Sequence, residues 1–304
     1  MLKLFKNYSV LSDGTAFKYL ALVPESIMLT GAGRIVLHNW RGLLRLTWRY
    51  RKVQLPASHV YVLAHNSFSG YYHWLLESLP KLIEAKKSLN GFVLLLPDTY
   101  TDSFYKETLA MLNITCIERM EPEIQYKVPQ LAIPFFVEAM GHYSQATLKS
   151  LKHTVLNSIK IQATTAKLIY VSRKKALRRK IDNEQEVELF LIKHGFEIVC
   201  FEDYSFQETV QLCAGAEILL GIHGAGLANM VFVPESAIVI ELRKFDQGEN
   251  IFFEYLAQAL ELRYRLLYCQ AINEGQSVQD ADLQVDINDL KRVVREFVPQ
   301  HIVE

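Results

Sequence analysis

From residue 60 onward, short apolar runs alternate with longer segments of helical spacing, and few folds accommodate that pattern. Residues 61–64, 92–96 and 114–117 read as strands in the first half, and 168–171, 196–200, 217–221, 237–242 and 264–268 in the second. Segments 71–89, 103–112, 143–161, 184–194, 206–213 and 250–260 carry the helical spacing between them. Strands apolar on both faces must be covered on both faces, so the chain calls for parallel sheets flanked by helices, an α/β fold. A length of 304 residues suits two such units in tandem. The polar stretch with Gln162, Thr164 and Thr165 sets the expected boundary, giving domains 1–163 and 164–304. Leu290, Val293, Val294 and Phe297 recur at helical spacing and predict a terminal helix, with the N-terminal domain as a candidate docking surface.

Some segments are harder to read. Pro80 marks a kink or break in segment 71–89, and three prolines between Glu121 and Pro134 predict a loop-rich passage. Leu44, Leu46, Trp48 and Tyr50 alternate with Arg45, Thr47, Arg49 and Arg51, the period of a half-buried strand. Trp40, Leu44 and Trp48 would share one side of a helix, but the aromatic content favours the strand. Six basic residues from Arg34 to Lys52 suit a membrane surface or a polyanion; a strand with a solvated basic face is the simpler reading.

Composition narrows the function. Thirty-three basic residues balance 33 acidic ones, which argues against a protein that coats nucleic acid and leaves room for local phosphate sites. Cys116, Cys200, Cys213 and Cys269 form no CxxC and lie in or beside apolar runs, so they read as buried thiols of a reducing compartment. The first ten residues lack a signal-peptide core, and no apolar run approaches the roughly 20 residues of a spanning helix. A cytoplasmic protein, with peripheral contact to the inner membrane face at most, is expected.

Three clusters can carry chemistry. His223-Gly224-Ala225-Gly226-Leu227-Ala228-Asn229 follows an apolar strand, where glycines let backbone amides approach a phosphate and a helix N-terminus adds its dipole. The competing reading is a tight turn with a structural histidine. Neither GxGxxG nor GK[ST] is present, which weighs against a dinucleotide fold and a nucleotide-dependent oxidoreductase. Second, Arg173, Lys174, Lys175, Arg178, Arg179 and Lys180 crowd the loop after strand 168–171, at the strand end where open sheets bind ligands. Arg173 abuts the strand and is held there, whereas the lysines read as surface. Third, His73 and Glu77 are four apart and share a helix face, as a base with its orienting carboxylate or as an ordinary surface pair. Spacing alone favours the surface pair, and without a second histidine it does not predict zinc. Glu241 reads as the end of strand 237–242, able to accept from ribose hydroxyls or to pair with Arg243 or the basic loop. Asp280 and Asp282 lie in a linker and are not read as a metal site.

Taken together these residues resemble glycosyltransferase family 61, whose bacterial members include capsular polysaccharide biosynthesis proteins. The resemblance rests on Val171-Ser172-Arg173, Asn183-Glu184, Gly195-Phe196, the run from Ala216 to Asn229, Phe232 and Ile240-Glu241, with Asn66, Tyr72-His73-Trp74, Glu77 and Leu79-Pro80 further upstream. It implies a GT-B architecture of two Rossmann-like domains facing a central cleft. It also implies inverting transfer from a nucleotide sugar to a hydroxyl of a surface-polysaccharide or lipid-linked glycan, without a metal cofactor. The carry-over sets Arg173, His223, Gly224, Ala225, Gly226 and Asn229 around the donor diphosphate, with Arg178 or Arg179 as a further contact and Glu241 at the ribose. His73 and Glu77 fall on the acceptor side, His73 as base and Glu77 orienting it, with the reverse assignment open. Ala228 stands where many relatives carry a more polar residue. Such a transfer needs a base for the acceptor hydroxyl and cationic donors for the departing diphosphate, and no covalent nucleophile. The rival from another class is a nucleotide-sugar-binding scaffold that has lost turnover.

Overall fold

In the computed structural model, two α/β units are built on separate sheets, Met1–Ser158 and Ile159–Glu304. All residues are described except 28, 31–32, 35–38, 67, 137–140, 162–166, 246–250, 279 and 299–304. The expected boundary at 163/164 lies outside the described residues.

The sheet of the first unit runs in the order β3 (Ala21–Leu22), β2 (Ala16–Lys18), β1 (Leu2–Val10), β10 (Ile124–Pro134), β7 (Tyr61–Leu63), β8 (Val93–Pro97) and β9 (Ile117–Met120). A small separate hairpin joins β4 (Leu29–Thr30) to β5 (Gly33–Arg34), and β6 (Arg51–Gln54) pairs with β10. The sheet is mixed: β7, β8 and β9 are parallel, and β1 runs against β10.

The proline-rich passage thus corrects to an eleven-residue strand, β10, at the sheet centre. Pro129 fits because the ladder has no use for its missing N–H. On one side β10 pairs with β6 as far as Lys127 and takes up β7 only at Leu131. On the other side the register skips from Tyr8↔Val128 to Lys6↔Gln130, with Asn7 in the left-handed region at φ 59°. The strand read at 114–117 begins later, at Ile117. Asn113 (φ 52°) ends helix α4 (Ser103–Met111), and the Ile114 amide still bonds back to Leu109.

The strand expected over 44–51 corrects to helix α1 (Trp40–Arg49), capped by Asn39 accepting from the Gly42 amide at 2.8 Å, with the strand starting only at Arg51. Leu43 is buried against Leu11 and Phe17, with Leu46 and Tyr50 beside it. Positions 43, 46 and 50 follow helical spacing, and their burial outweighs the alternation that favours a strand. Segment 71–89 stays helical through Pro80 by widening. Helix α2 (Tyr71–His73) passes through a π turn at Trp74–Ser78 into α3 (Leu79–Ser88), which opens with the proline in its first turn. The Leu79 amide reaches back five residues to the Trp74 carbonyl. Such turns recur at functional sites. Helix α5 (Gln145–Ser158) completes the unit.

In the second unit the sheet order is β12 (Phe196–Val199), β11 (Lys167–Val171), β13 (Ala216–Ile222), β14 (Ile238–Lys244), β15 (Arg263–Ala271) and β16 (Leu283–Gln284). All but β16 are parallel. Counted within the unit, this is the doubly wound order 2-1-3-4-5, whose chain reverses direction across the sheet between β11 and β13. Ligands of such sheets sit outside the strand carboxyl ends at that point. Helices α6 (Glu184–Lys193), α7 (Phe206–Ala214) and α8 (Phe252–Ala259) alternate with the strands. The terminal helix α9 (Ile287–Arg295) buries Leu290, Val293 and Val294 in the core of its own unit. Cys200, Cys213 and Cys269 are buried, whereas Cys116 is exposed, contrary to expectation. Among the described residues no helix is long and apolar enough to cross a membrane.

One buried group makes the first unit sensitive to acid. His65 is 3% exposed and its Nε2–H donates to the Ser12 carbonyl at 3.2 Å. Burial pulls its pKa down to about 4. Between that value and about 6.5 the unfolded chain binds a proton that the folded chain refuses. Stability present above pH 6.5 is therefore lost as the pH falls through this window, in all about 3 kcal/mol. Melting curves recorded across the window should fall more steeply for wild type than for His65→Asn; parallel curves would contradict the assignment.

Candidate functional site

At the reversal point of the second sheet, the strand ends β11 and β13 bring the basic loop and the glycine turn together. Ser172, directly after β11, donates to the Glu184 carboxylate at 2.6 Å, and the Tyr170 hydroxyl donates to the same oxygen at 2.9 Å. Burial raises the Glu184 pKa, and these two hydrogen bonds oppose the rise. The first turn of α6 thereby grips the end of β11 and fixes where Arg173 emerges.

Arg173 packs closely against Gly224. A Cβ on that glycine would stand 2.8 Å from Nη1 and 3.3 Å from Cζ. Gly224 itself is extended (φ 167°), so close approach and not backbone conformation demands the glycine. Arg179 is in the left-handed region at φ 57° and donates from Nη1 to the His223 carbonyl at 3.2 Å. Burial lowers the pKa of both guanidiniums, that of Arg179 to about 10, and the positive charges of Arg173 and Arg178 push Arg179 further the same way. Among the described residues the Nε atoms of Arg173 and Arg179 are buried without a hydrogen-bond partner. Half-buried cations that crowd one another with donors to spare are the electrostatic signature of an anion site. Arg178 differs, standing exposed and paired with Asp280 at 2.6 Å. Lys174 and Lys175 pair with Glu188 and Asp203 on the surface. Asp282 accepts from the Lys180 amide at 2.7 Å, so this linker carboxylate pins the far end of the basic loop.

The glycine turn continues into a 3₁₀ helix, Ala225–Phe232. Its first closed turn runs from the Leu227 amide to the Gly224 carbonyl, and the amides of Ala225 and Gly226 precede that closure. Gly226 lets the turn lie on Val171, whose Cγ1 would be 3.1 Å from an added Cβ. Asn229 is 1% exposed and donates from Nδ2 to the Gly226 carbonyl at 3.0 Å, bracing the turn from within.

Glu241 is not at a strand end. Strand β14 runs on to Lys244, and the Glu241 side chain is fully buried. One carboxylate oxygen meets His223 Nδ1 and the other accepts from the Tyr264 hydroxyl. The Tyr264 pKa is raised, by burial first and then by the Glu241 charge. This carboxylate therefore orients His223, whose ring also packs edge-on against Phe253 at 5.1 Å. Sequence reasoning misses Tyr264, because its partner is set by the register of two parallel strands.

The first unit holds the other cluster by itself. His73 Nδ1 lies 3.0 Å from Glu77 Oε2, and the Asn66 amide donates to the same oxygen at 2.6 Å. The second Glu77 oxygen is buried without a partner among the described residues. Asn66 accepts in turn from the Phe68 amide, and the Phe68 ring stacks on His73 at 5.1 Å with 28° between planes. Lys81, one turn further along, has its pKa lowered by burial, against which the Glu77 charge works. The expected pair is thus hydrogen-bonded, half-buried and flanked by aromatics.

The family described as Glycosyltransferase 61 matches residues 71–240, more than half of the chain, from the His73 helix to β14. A Xenopus tropicalis protein O-linked-mannose beta-1,4-N-acetylglucosaminyltransferase 2 is 39% identical over 100 residues, 31% of this chain and 16% of that protein. A rice beta-1,2-xylosyltransferase is 30% identical over 102 residues, 32% of this chain and 18% of its own. A Drosophila melanogaster EGF domain-specific O-linked N-acetylglucosamine transferase is 29% identical over 102 residues, 33% and 19%. The matched stretches thus take up about a fifth or less of these relatives. With the match extending from the helix of His73 and Glu77 through the whole glycine turn, the chain belongs to glycosyltransferase family 61.

Proposed function

We infer that the chain is an inverting, metal-independent glycosyltransferase that moves a sugar from a nucleoside diphosphate to a hydroxyl of a surface-polysaccharide or lipid-linked glycan in the cytoplasm. The acceptor and the bacterial capsule setting rest on the resemblance alone. The relatives' names describe transfer of N-acetylglucosamine or xylose and leave the donor sugar of this chain open among such sugars. In the reaction, a base takes the proton of the acceptor hydroxyl and the oxygen attacks the anomeric carbon. The carbon–oxygen bond to the diphosphate breaks, and its electron pair leaves on the diphosphate. Arg173, Arg179, His223 and the amides of Ala225 and Gly226 receive that charge. His223, with Nδ1 given to Glu241, turns Nε2 to the phosphate. Asn229 and Glu241 act by holding the turn and the imidazole, a positioning role in place of direct contact with diphosphate and ribose.

The observation that carries this reading is the convergence of two half-buried guanidiniums on the glycine turn at the sheet's reversal point. It favours Arg179 as the further phosphate contact, since Arg178 is already engaged by Asp280. Arg179→Ala should weaken binding of uridine or guanosine diphosphate about 10-fold or more, the worth of a charged hydrogen bond, and Arg178→Ala should stay near wild type. Isothermal titration of the folded variants decides it. Equal losses in both, or none in Arg179→Ala, would remove the assignment.

A further inference from the structure

Helix α1 presents to the outside a face that the transfer chemistry leaves unused. Its inner side is settled, with Leu43 buried and Leu46 and Tyr50 packed on Leu11 and Phe17. On the outer side Trp40, Leu44 and Trp48 form an i, i+4, i+8 stripe that is 58%, 40% and 86% exposed. Next to it runs a parallel stripe of exposed arginines, Arg41, Arg45 and Arg49. The Arg41 guanidinium sits over the Trp40 ring at 5.2 Å, and Arg49 pairs with Glu123 at 2.8 Å. The hairpin of β2 and β3 packs against the same small core through Leu20 and Leu22. Its tip carries Tyr19, 93% exposed and in the left-handed region.

Two large tryptophans held in water are costly unless something covers them. Charge says what does. Between Glu25 and Glu77 the chain contains no acidic residue, while Arg34, Arg41, Arg45, Arg49, Arg51 and Lys52 all fall in that interval. A second copy of the chain would set these cations against themselves. A soluble polyanion would satisfy the arginines and leave the indoles wet. An anionic lipid surface satisfies both, with indoles at the headgroup–acyl boundary and guanidiniums on the phosphates. We propose that the outer face of α1, with the Tyr19 hairpin beside it, is an interfacial anchor that docks the first unit on anionic membranes. The anchor is independent of the transfer chemistry, so a failed vesicle experiment would leave the nucleotide site as assigned.

The test uses the full chain and co-sedimentation with vesicles of phosphatidylcholine alone or mixed with phosphatidylglycerol. Binding is expected only with phosphatidylglycerol, weakened by high salt, and accompanied by a blue shift of tryptophan emission. Trp40→Ser/Trp48→Ser should lose the blue shift and bind at least ~10-fold more weakly. Arg41→Gln/Arg45→Gln should cost about 5-fold per arginine. Both double variants change exposed side chains and should bind nucleoside diphosphate as wild type does. Failure to bind anionic vesicles, equal binding to neutral ones, or unchanged binding by the tryptophan variant would each overturn the proposal. Heparin binding that needs the arginines but not the tryptophans would do so in favour of a soluble polyanion.

Discussion

Arg173→Ala is expected to lower kcat/KM by about 100-fold or more, and Gly224→Ala to do nearly the same without touching the arginine. The second variant makes the prediction sharp. Gly224 is extended, so alanine meets no backbone strain there. Its Cβ would instead stand 2.8 Å from Arg173 Nη1, which must move. The obstacle is the end of a flexible side chain, and displacing it costs the fold little. Gly224→Ala should therefore melt close to wild type while losing turnover and diphosphate affinity together. Arg173→Lys should recover only part of the loss, since an ammonium keeps the charge but not the planar fork. Kinetics, melting temperature and nucleotide titration on the three variants are the measurements. A folded Gly224→Ala enzyme with wild-type kcat/KM would show that the position of this guanidinium is immaterial to transfer.

The layout of the second unit is legible in the sequence because its strands are short, apolar and separated by amphipathic helices, each element declaring its own period. The candidate anion site is half legible. Arg173 abuts a strand and the glycines follow another, both local signals. The choice between Arg178 and Arg179 depends on Asp280, about a hundred residues away, and on a left-handed residue that no composition rule demands. Glu241 reads as a strand end because the apolar run stops nearby. Strand β14 continues because β15 pairs with it as far as Lys244 and buries Arg243 along the way. In the first unit the alternation at 44–50 and the helical spacing at 43, 46 and 50 coexist in the same residues, and only the hydrophobic pocket of Leu11 and Phe17 decides between them. Pro129 looks like a strand breaker until the change of neighbour from β6 to β7 shows that its N–H is not required.

The largest remaining effect is expected at the His73–Glu77 pair. Glu77 Oε2 takes hydrogen bonds from both Asn66 and His73, which fixes Nδ1 as the proton-bearing nitrogen facing the carboxylate. In the proposed transfer Nε2 is then the nitrogen that would accept the proton of the acceptor hydroxyl, and Glu77 would stabilise the resulting imidazolium. His73→Ala should reduce kcat by about 10² to 10⁴-fold while donor binding survives, because the nitrogen donors proposed for the diphosphate all belong to the second unit. Glu77→Gln preserves shape and hydrogen-bonding capacity but removes the charge, so it should lower kcat substantially with little change in melting temperature. If the two residues act as a unit, a double variant should be scarcely worse than the poorer single one. Added imidazole separates the two possible bases. Rescue of His73→Ala, with none in Glu77→Gln, assigns proton removal to the histidine. Were His73→Ala to turn over normally while Glu77→Gln is dead, the carboxylate would be the base.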